Sequence, residues 1–283
     1  MDKKKVKLKG HETFGIREGW LSKGMRAVIE NPRVFSKMYG ADALGVGTNM
    51  AKAIRYWLKA SGLTEEISGR GVHLSKFGEV VYRYDPYIEE DFTLWCIHII
   101  LAENEQLATV WYLFFRYCEA EEFTREELEE MIAEKVCQYK GHTDFSKRSL
   151  SDDCHVLLQM YSREKLEEID PEDKKICPLS KLGLLRKNGM SFKRMQPDLN
   201  RFSKEVLLYF LQGIWKEEDA VSMERLYHKA AKILGLGMSG YQEYLDALAQ
   251  NGYIDINRTA GLDMIYKKTN ITRVEAAEKY YGG

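Results

Sequence analysis

The sequence predicts a mainly α-helical protein in which two winged-helix-like modules flank a central helical region. Leu44-Gly45-Val46-Gly47 and Leu234-Gly235-Leu236-Gly237 share one pattern, and each leads into an amphipathic run. Each run stops at a glycine, Gly62 or Gly252, 17 residues after the first glycine of its pair. After each stop come a short apolar stretch, a polar turn and a second short apolar stretch, the order expected of a turn, a helix and a two-stranded wing. The expected divisions are a basic arm with the first module over 1–83, the helical region over 84–215 and the second module over 216–283.

The elements follow in order. Lys3 to Lys9 is a basic arm. Gly19 to Glu30 carries Trp20, Leu21, Met25, Val28 and Ile29 near helical spacing, and Pro32 closes that helix. Val34 to Tyr39 is a short apolar-polar segment, and Ala41 to Leu44 leads into the Gly-Val-Gly turn. Thr48 is the expected N-cap of the next helix, through its hydroxyl. Ala51, Ile54, Trp57 and Leu58 form the buried stripe, and Gly62 supplies the C-terminal stop. Leu63 to Ile67, a Ser-Gly-Arg-Gly turn and Val72 to Leu74 read as a hairpin with a basic tip. Helical periodicity then marks Phe92 to Ala102, Leu107 to Ala120, Arg125 to Cys137, Asp152 to Tyr161 and Phe202 to Trp215. Glu167 to Cys177 is charged and turn-like, a surface loop. A helical tail closes the chain near Thr272 to Tyr281.

Bulk properties narrow the function classes. A chain of 283 residues, 45% hydrophobic and 30% charged, reads as soluble and globular. No apolar run approaches the roughly 18–20 residues that span a bilayer; Phe92 to Leu101 is short and adjoins Glu89, Glu90 and Asp91. Met1 to Lys5 has charge without a following apolar core, so no secretory signal is read and a cytoplasmic location is expected. The five cysteines, Cys96, Cys118, Cys137, Cys154 and Cys177, are scattered without a Cys-x-x-Cys pair. That argues against a disulfide framework or a structural zinc site, and most are expected to be buried thiols. The net charge is only −1, so its distribution matters more than its sum. Cations crowd the N-terminal stretch, whereas residues 119–134 hold eight Glu against Arg125 alone.

The strongest site candidate is the helix from Thr48 to Ser61. Thr48, Lys52, Arg55 and Lys59 recur on one face at i, i+4, i+7 and i+11. Recognition helices present short polar and basic side chains to the major groove. Asn49 suits adenine, Arg55 suits guanine or phosphate, and Lys52, Lys59 and Arg70 suit the backbone of double-stranded DNA. Lys3, Lys4, Lys5 and Arg17 extend the cationic set. The equivalent face of the later helix carries Ser239, Gln242, Glu243, Asp246 and Gln250, whose carboxylates oppose phosphate. That copy is expected to serve packing, a homodimer or a protein partner.

No catalytic residue is assigned outright. Asp152, Asp153 and His155 are candidates for a divalent metal such as Mg2+, although neighbouring helical residues point about 100° apart. His11 and Glu12, in His11-Glu12-Thr13-Phe14, form a polar-aromatic cluster that reads equally as a phosphate contact or as a hydrogen-bonded structural knot. They lack the second histidine of a zinc-protease motif. Asp85, Glu89, Glu90 and Asp91 form another acidic group, explained by a helix N-terminus. No phosphate loop, dinucleotide fingerprint or His-x-His motif occurs, and Glu172-Asp173-Lys174 has Glu-x-Lys spacing only within an acidic loop.

Several phrases together resemble a known bacterial family. They are Gly10-His11-Glu12-Thr13-Phe14 with Arg17 and Gly19-Trp20, Leu44 to Met50 with Ile54-Arg55 and Trp57, and Asp85-Pro86-Tyr87 with Glu89 and Thr93-Leu94-Trp95. Cys177-Pro178-Leu179 and Thr259-Ala260-Gly261-Leu262 complete the series. The family that the chain resembles is encoded in DNA phosphorothioation and phage-defence cassettes and is similar to the B component of the Ssp system. The resemblance implies work beside a cysteine desulfurase, a sulfurtransferase and an ATPase, and an association with DNA nicking. It implies no confirmed catalytic residues. Asp263 departs from the more basic residue expected after Thr-Ala-Gly-Leu. Two readings result: a DNA-binding, nicking subunit, or a non-enzymatic scaffold or transcriptional-type adaptor that binds the cassette's proteins.

Overall fold

The computed structural model describes residues 6–141, 144–163, 176–215, 218–259 and 262–282. Lys3, Lys4, Lys5, residues 167–175 of the expected acidic loop and Ala260-Gly261 lie outside the described residues. The chain divides into two compact units, Met1–Met195 and Gln196–Gly283.

The first unit begins with α1 (Trp20–Glu30), short 3-10 turns at Val34–Ser36 and Met38–Gly40, α2 (Ala41–Leu44) and α3 (Thr48–Ala60). α1 and α3 approach closely because α1 carries Gly24: a Cβ there would lie 2.6 Å from Leu58 and 2.9 Å from Ile54. The buried stripe of α3 is Ala51, Ala53, Ile54, Trp57, Leu58 and Ala60, as its periodicity predicts. The expected cap is displaced by one residue. Gly47, extended at φ −64° and ψ 154°, is the N-cap, and Thr48 opens the helix without a side-chain cap. The second glycine of the repeat already sets that backbone, and its carbonyl accepts from Ala51 N–H at 3.0 Å.

Antiparallel β1 (Thr64–Ile67) and β2 (Gly71–Leu74) form the following hairpin. Its tip is docked: Pro32 O accepts from Val72 N–H at 2.8 Å, and Arg33 donates to Gly69 O at 3.2 Å. Ser75 then caps α4 (Lys76–Tyr84) by accepting from Gly78 N–H.

α5 (Asp91–Glu103) is buried almost all round, which explains its apolar sequence without a membrane. Among the described residues no helix is long and apolar enough to cross one. Asp85, buried ahead of it, accepts from Glu89 N–H (2.9 Å), Glu90 N–H (3.1 Å) and Thr93 Oγ1 (2.5 Å). The acidic group therefore organises a helix start. α6 (Thr109–Tyr117), β3 (Glu122–Thr124), α7 (Arg125–Lys140) and α8 (Lys147–Tyr161) follow. Thr124 and Glu127 form the capping box of α7.

The central region is not solely helical. β3, β4 (Ser162–Arg163), β5 (Leu185–Asn188) and β6 (Ser191–Arg194) form a four-stranded sheet in the order β3-β6-β5-β4. These strands escape a reading of periodicity because each is short and mostly polar; Leu185 and Phe192 are the buried apolar residues of the β5–β6 hairpin. Arg194 locks the hairpin to α6. Its guanidinium lies 4.1 Å from the Phe114 ring centroid and donates to Phe114 O and Cys118 O at 2.9 and 3.2 Å.

The second unit contains α9 (Lys204–Ile214), β7 (Ala220–Ser222), α10 (Met223–Leu234), α11 (Met238–Gln250), β8 (Ile254–Thr259), β9 (Leu262–Lys267) and α12 (Arg273–Gly282). α9, which the sequence grouped with the central region, belongs to this unit; Arg273 Nε of α12 donates to its Tyr209 O at 3.0 Å. The sheet order is β7-β9-β8. A leading strand, two helices and a hairpin whose second strand pairs with the leading strand thus occur twice, as β3-α7-α8-β5-β6 and as β7-α10-α11-β8-β9. Cys96, Cys118, Cys154 and Cys177 are buried thiols, and Cys137 is half-buried.

Candidate nucleic-acid interface

The candidate reader helix presents its polar face as the spacing predicts, with Asn49 and Lys59 exposed and Thr48, Lys52 and Arg55 half-exposed. Its cations are engaged within the protein. Arg55 donates to Glu66 Oε1 of β1 at 2.8 Å, and Lys59 Nζ lies 3.3 Å from Glu66 Oε2. The hydrogen bond from Arg55, reinforced by Lys59, holds the Glu66 carboxyl below the usual carboxylate range. Lys52 Nζ lies 3.5 Å from Glu12 Oε1 and donates to Asn49 Oδ1 at 3.4 Å, so one catalytic candidate pairs with one DNA-binding candidate. Arg70 is exposed at the hairpin tip. Glu66 escaped the sequence reading. Its one available signal was its place in a strand that folds directly back along α3.

Arg17 lies apart from that helix's polar face. Its guanidinium carbon is 5.7 Å from the Phe14 ring centroid and 5.1 Å from that of Trp20. It lines a pocket of about 150 Å³ together with Tyr87, Pro178 and Lys181.

The structure joins three of the catalytic candidates in a buried strap. His11 is fully buried and Asp153 is 2% exposed. His11 Nε2 lies 3.0 Å from Asp153 Oδ1, which also accepts from Lys9 N–H at 2.9 Å. Lys9 Nζ pairs with Asp152 Oδ2 at 2.9 Å. The His11 ring stacks on Trp57 at 5.4 Å and 8° and meets Trp111 edge-on. Trp57 Nε1 donates to Phe14 O at 2.8 Å. Tyr56 donates to Leu107 O at 2.6 Å, and burial, with Asp153 nearby, raises its hydroxyl well above the usual range. These contacts tie residues 9–14 to α3 and α8, the structural knot of the two sequence readings.

His155 is not brought to the aspartates. Arg125 Nη1 approaches its Nδ1 at 3.5 Å, and desolvation, then Arg125, lower its pKa. Among the described residues no three His, Cys, Asp or Glu side chains converge to hold a metal ion. Asp152, Asp153 and His155 do not fit Mg2+: one acid faces Lys9, one is buried on His11 and the histidine faces a guanidinium.

The architecture defines a mainly α-helical protein in which helix–hairpin units recur. The chain belongs to the DUF4007 family, described as a protein of unknown function, whose model matches residues 8–281. Two solved structures are similar to it over nearly its whole length: a magnesium ion-bound SspB crystal structure and an SspB crystal structure. For each, the TM-score is 0.84 at 22% identity, covering 98% of this chain and 88% of the other. No curated protein matches the chain.

Proposed function

We propose that this protein is the DNA-binding component of a bacterial DNA phosphorothioation-based anti-phage system. The whole-length likeness to SspB carries this reading. In it, α3 and the β1–β2 hairpin act as a winged helix. Asn49 and Arg55 meet base edges, Thr48, Lys52, Lys59 and Arg70 meet phosphates, and Lys3, Lys4, Lys5 and Arg17 contribute further positive charge. α11 and β8–β9 form the second winged helix and serve a partner or a homodimer, because Asp246 and Glu243 repel phosphate. The sulfurtransferase, ATPase and cysteine desulfurase of the cassette are its protein partners, and the cytoplasm is its compartment.

Nicking with Mg2+ belongs to the same reading, supported by the magnesium in one related structure. The ligands are not the Asp152, Asp153 and His155 set. Purified protein is expected to relax supercoiled plasmid with Mg2+, and the Asp152→Ala/Asp153→Ala pair is expected to keep that activity if it folds. Absence of relaxation by the parent protein removes the nickase assignment.

Duplex binding is expected to fall steeply with salt and to weaken about tenfold or more in Lys52→Ala/Arg55→Ala at moderate salt. Equal binding by parent and variant at low salt sinks the reader assignment. One observation favours the alternative, a scaffold or adaptor: Glu66 already pairs with both Arg55 and Lys59 and offsets one of their two charges. Co-purification with cassette proteins without binding to any duplex establishes that alternative.

A further inference from the structure

The three hairpins differ in charge. From Thr64 to Leu74 the chain carries Glu65 and Glu66 against Arg70, and from Ile254 to Lys267 it balances Asp255 and Asp263 with Arg258 and Lys267. From Leu185 to Arg194 it carries four cations and no acid: Arg186, Lys187, Lys193 and Arg194. Arg194 is half-buried and spent on the carbonyls of Phe114 and Cys118. The other three are exposed.

Register brings two of them together, while Lys187, opposite Phe192, lies on the other face. Arg186 stands directly opposite Lys193, and Asn188 opposite Ser191, so these four share the outer face while Leu185 and Phe192 point inward. Like charges directly opposite on a sheet destabilise the pair. Among the described residues neither Arg186 nor Lys193 forms an ion pair. The neighbouring acid, Glu122, opposite Lys193 on β3, accepts from Ser191 Oγ at 2.7 Å. At the two-residue tip Gly189-Met190, the Met190 side chain is 82% exposed, the most exposed large apolar residue described. Two opposed cations, only one of them facing a carboxylate across the sheet, beside an apolar residue held in water, suit a polyanion with a groove. Cationic side chains beside an apolar wedge are a common means of engaging duplex DNA.

The geometry points to the β5–β6 hairpin as a second duplex-DNA contact, with Arg186 and Lys193 on backbone phosphates and Met190 against the groove wall. This rests on the DNA-binding reading and adds to it a surface separate from α3. Both edges of the hairpin are covered, by β3 and β4, so it is a braced finger that offers its face and tip rather than a free edge.

The test is fluorescence anisotropy of the full chain on a labelled duplex over a salt series. Arg186→Glu/Lys193→Glu is expected to weaken binding about tenfold or more, and to reduce the slope of log affinity against log salt by about two. Arg186→Gln/Lys193→Gln, gentler on the fold, is expected to reproduce the slope change, and Arg186→Lys/Lys193→Arg to restore it. If the Gln pair keeps the parent slope while Lys52→Ala/Arg55→Ala loses binding, the hairpin proposal falls and the α3 reading stands. The reverse result supports the hairpin and removes α3 as the reader. No binding by the parent at low salt removes both. If polyglutamate displaces the duplex as well as unlabelled duplex does at equal charge, the hairpin's partner is an acidic protein and the DNA assignment is overturned.

Discussion

The α3–hairpin and α11–hairpin regions share a turn–helix–stop backbone whose outer helical faces carry opposite charge, and they differ in the hairpin, which has four-residue strands after α3 and six-residue strands after α11. Four bonds that open and close one helix recur in the other, shifted by 190 positions: those donated by the N–H groups of Ala51, Ser61, Gly62 and Leu63 match those of Tyr241, Asn251, Gly252 and Tyr253. Gly45 and Gly235 end the preceding helices at φ 60° and 69°, and Gly47 and Gly237 are extended N-caps. Leu63 N–H to Leu58 O matches Tyr253 N–H to Leu248 O, each at 3.0 Å. Each helix also reaches its hairpin through a charge pair of inverted polarity. In the first, Arg55 of the helix meets Glu66 of the strand at 2.8 Å; in the second, Asp246 of the helix meets Arg258 of the strand at 3.0 Å. The local repeat specifies the scaffold, and the side chains on its outer face decide what that scaffold meets.

A second difference is how the helices are held. Trp57 stacks on His11 and holds Phe14 O, whereas the corresponding residue of α11 is Ala247. Trp57→Ala is expected to cost about 3–5 kcal/mol through the cavity and lost packing. Ala247→Gly is expected to cost only about 1 kcal/mol, the helix-propensity difference. Denaturant unfolding followed by circular dichroism measures both, and equal losses would break the claim that the first helix alone depends on an N-terminal strap.

The stop glycines give the next largest contrast. Gly62 and Gly252 both lie in the left-handed region, at φ 72° and 75°, where an alanine costs about 1–2 kcal/mol. A Cβ at Gly62 would also meet Ile100 at 3.2 Å, whereas Gly252 faces open space. Gly62→Ala should therefore lower Tm more than Gly252→Ala, and the opposite order would refute the packing difference.

Smaller effects concern charge. Glu66→Gln frees Arg55 and Lys59 and should raise duplex affinity a few-fold, about one additional phosphate contact at moderate salt. Asp246→Asn should leave duplex affinity unchanged. A gel shift reads both, and a fall in affinity for Glu66→Gln would show that Glu66 positions the cations rather than masks them. The smallest effect is on stability against pH. Because the pKa of Glu66 is lowered in the fold, its contribution is complete above the ordinary carboxylate pKa of 4.5 and is lost as pH falls through the folded value. The pair is partly exposed, so this amounts to about 0–1 kcal/mol. The acid limb of a stability–pH curve should flatten slightly in Glu66→Gln, and an unchanged limb would deny the pair any energetic role.

Much of the scaffold was legible because its signals are local. Apolar spacing located α1, α3, α5 and α7, and the glycines located both stop points. Thr48 was misread as a cap because the extended Gly47 precedes it, a choice between adjacent residues that spacing alone does not make. The β5–β6 hairpin went unread because strands of four residues, three of them polar on β5, carry almost no periodic signal; their stability comes from pairing with β3 and β4 and from Arg194 on α6. The candidate site was legible as a list of cations but not as an electrostatic surface.

The sequence by itself determined where the helices of the repeat begin and end, since a left-handed glycine and a broken apolar stripe act within one or two turns of the chain. It also determined that the two copies differ in charge. Only the tertiary structure decided which charges are spent. Arg55 meets a carboxylate 11 residues away, and Asp153 meets a backbone amide 144 residues away, so Asp153 and His11 became a buried strap instead of an open metal site. A charge acts on a partner only where the fold leaves it unpaired and in water, and that condition depends on every segment that folds over it.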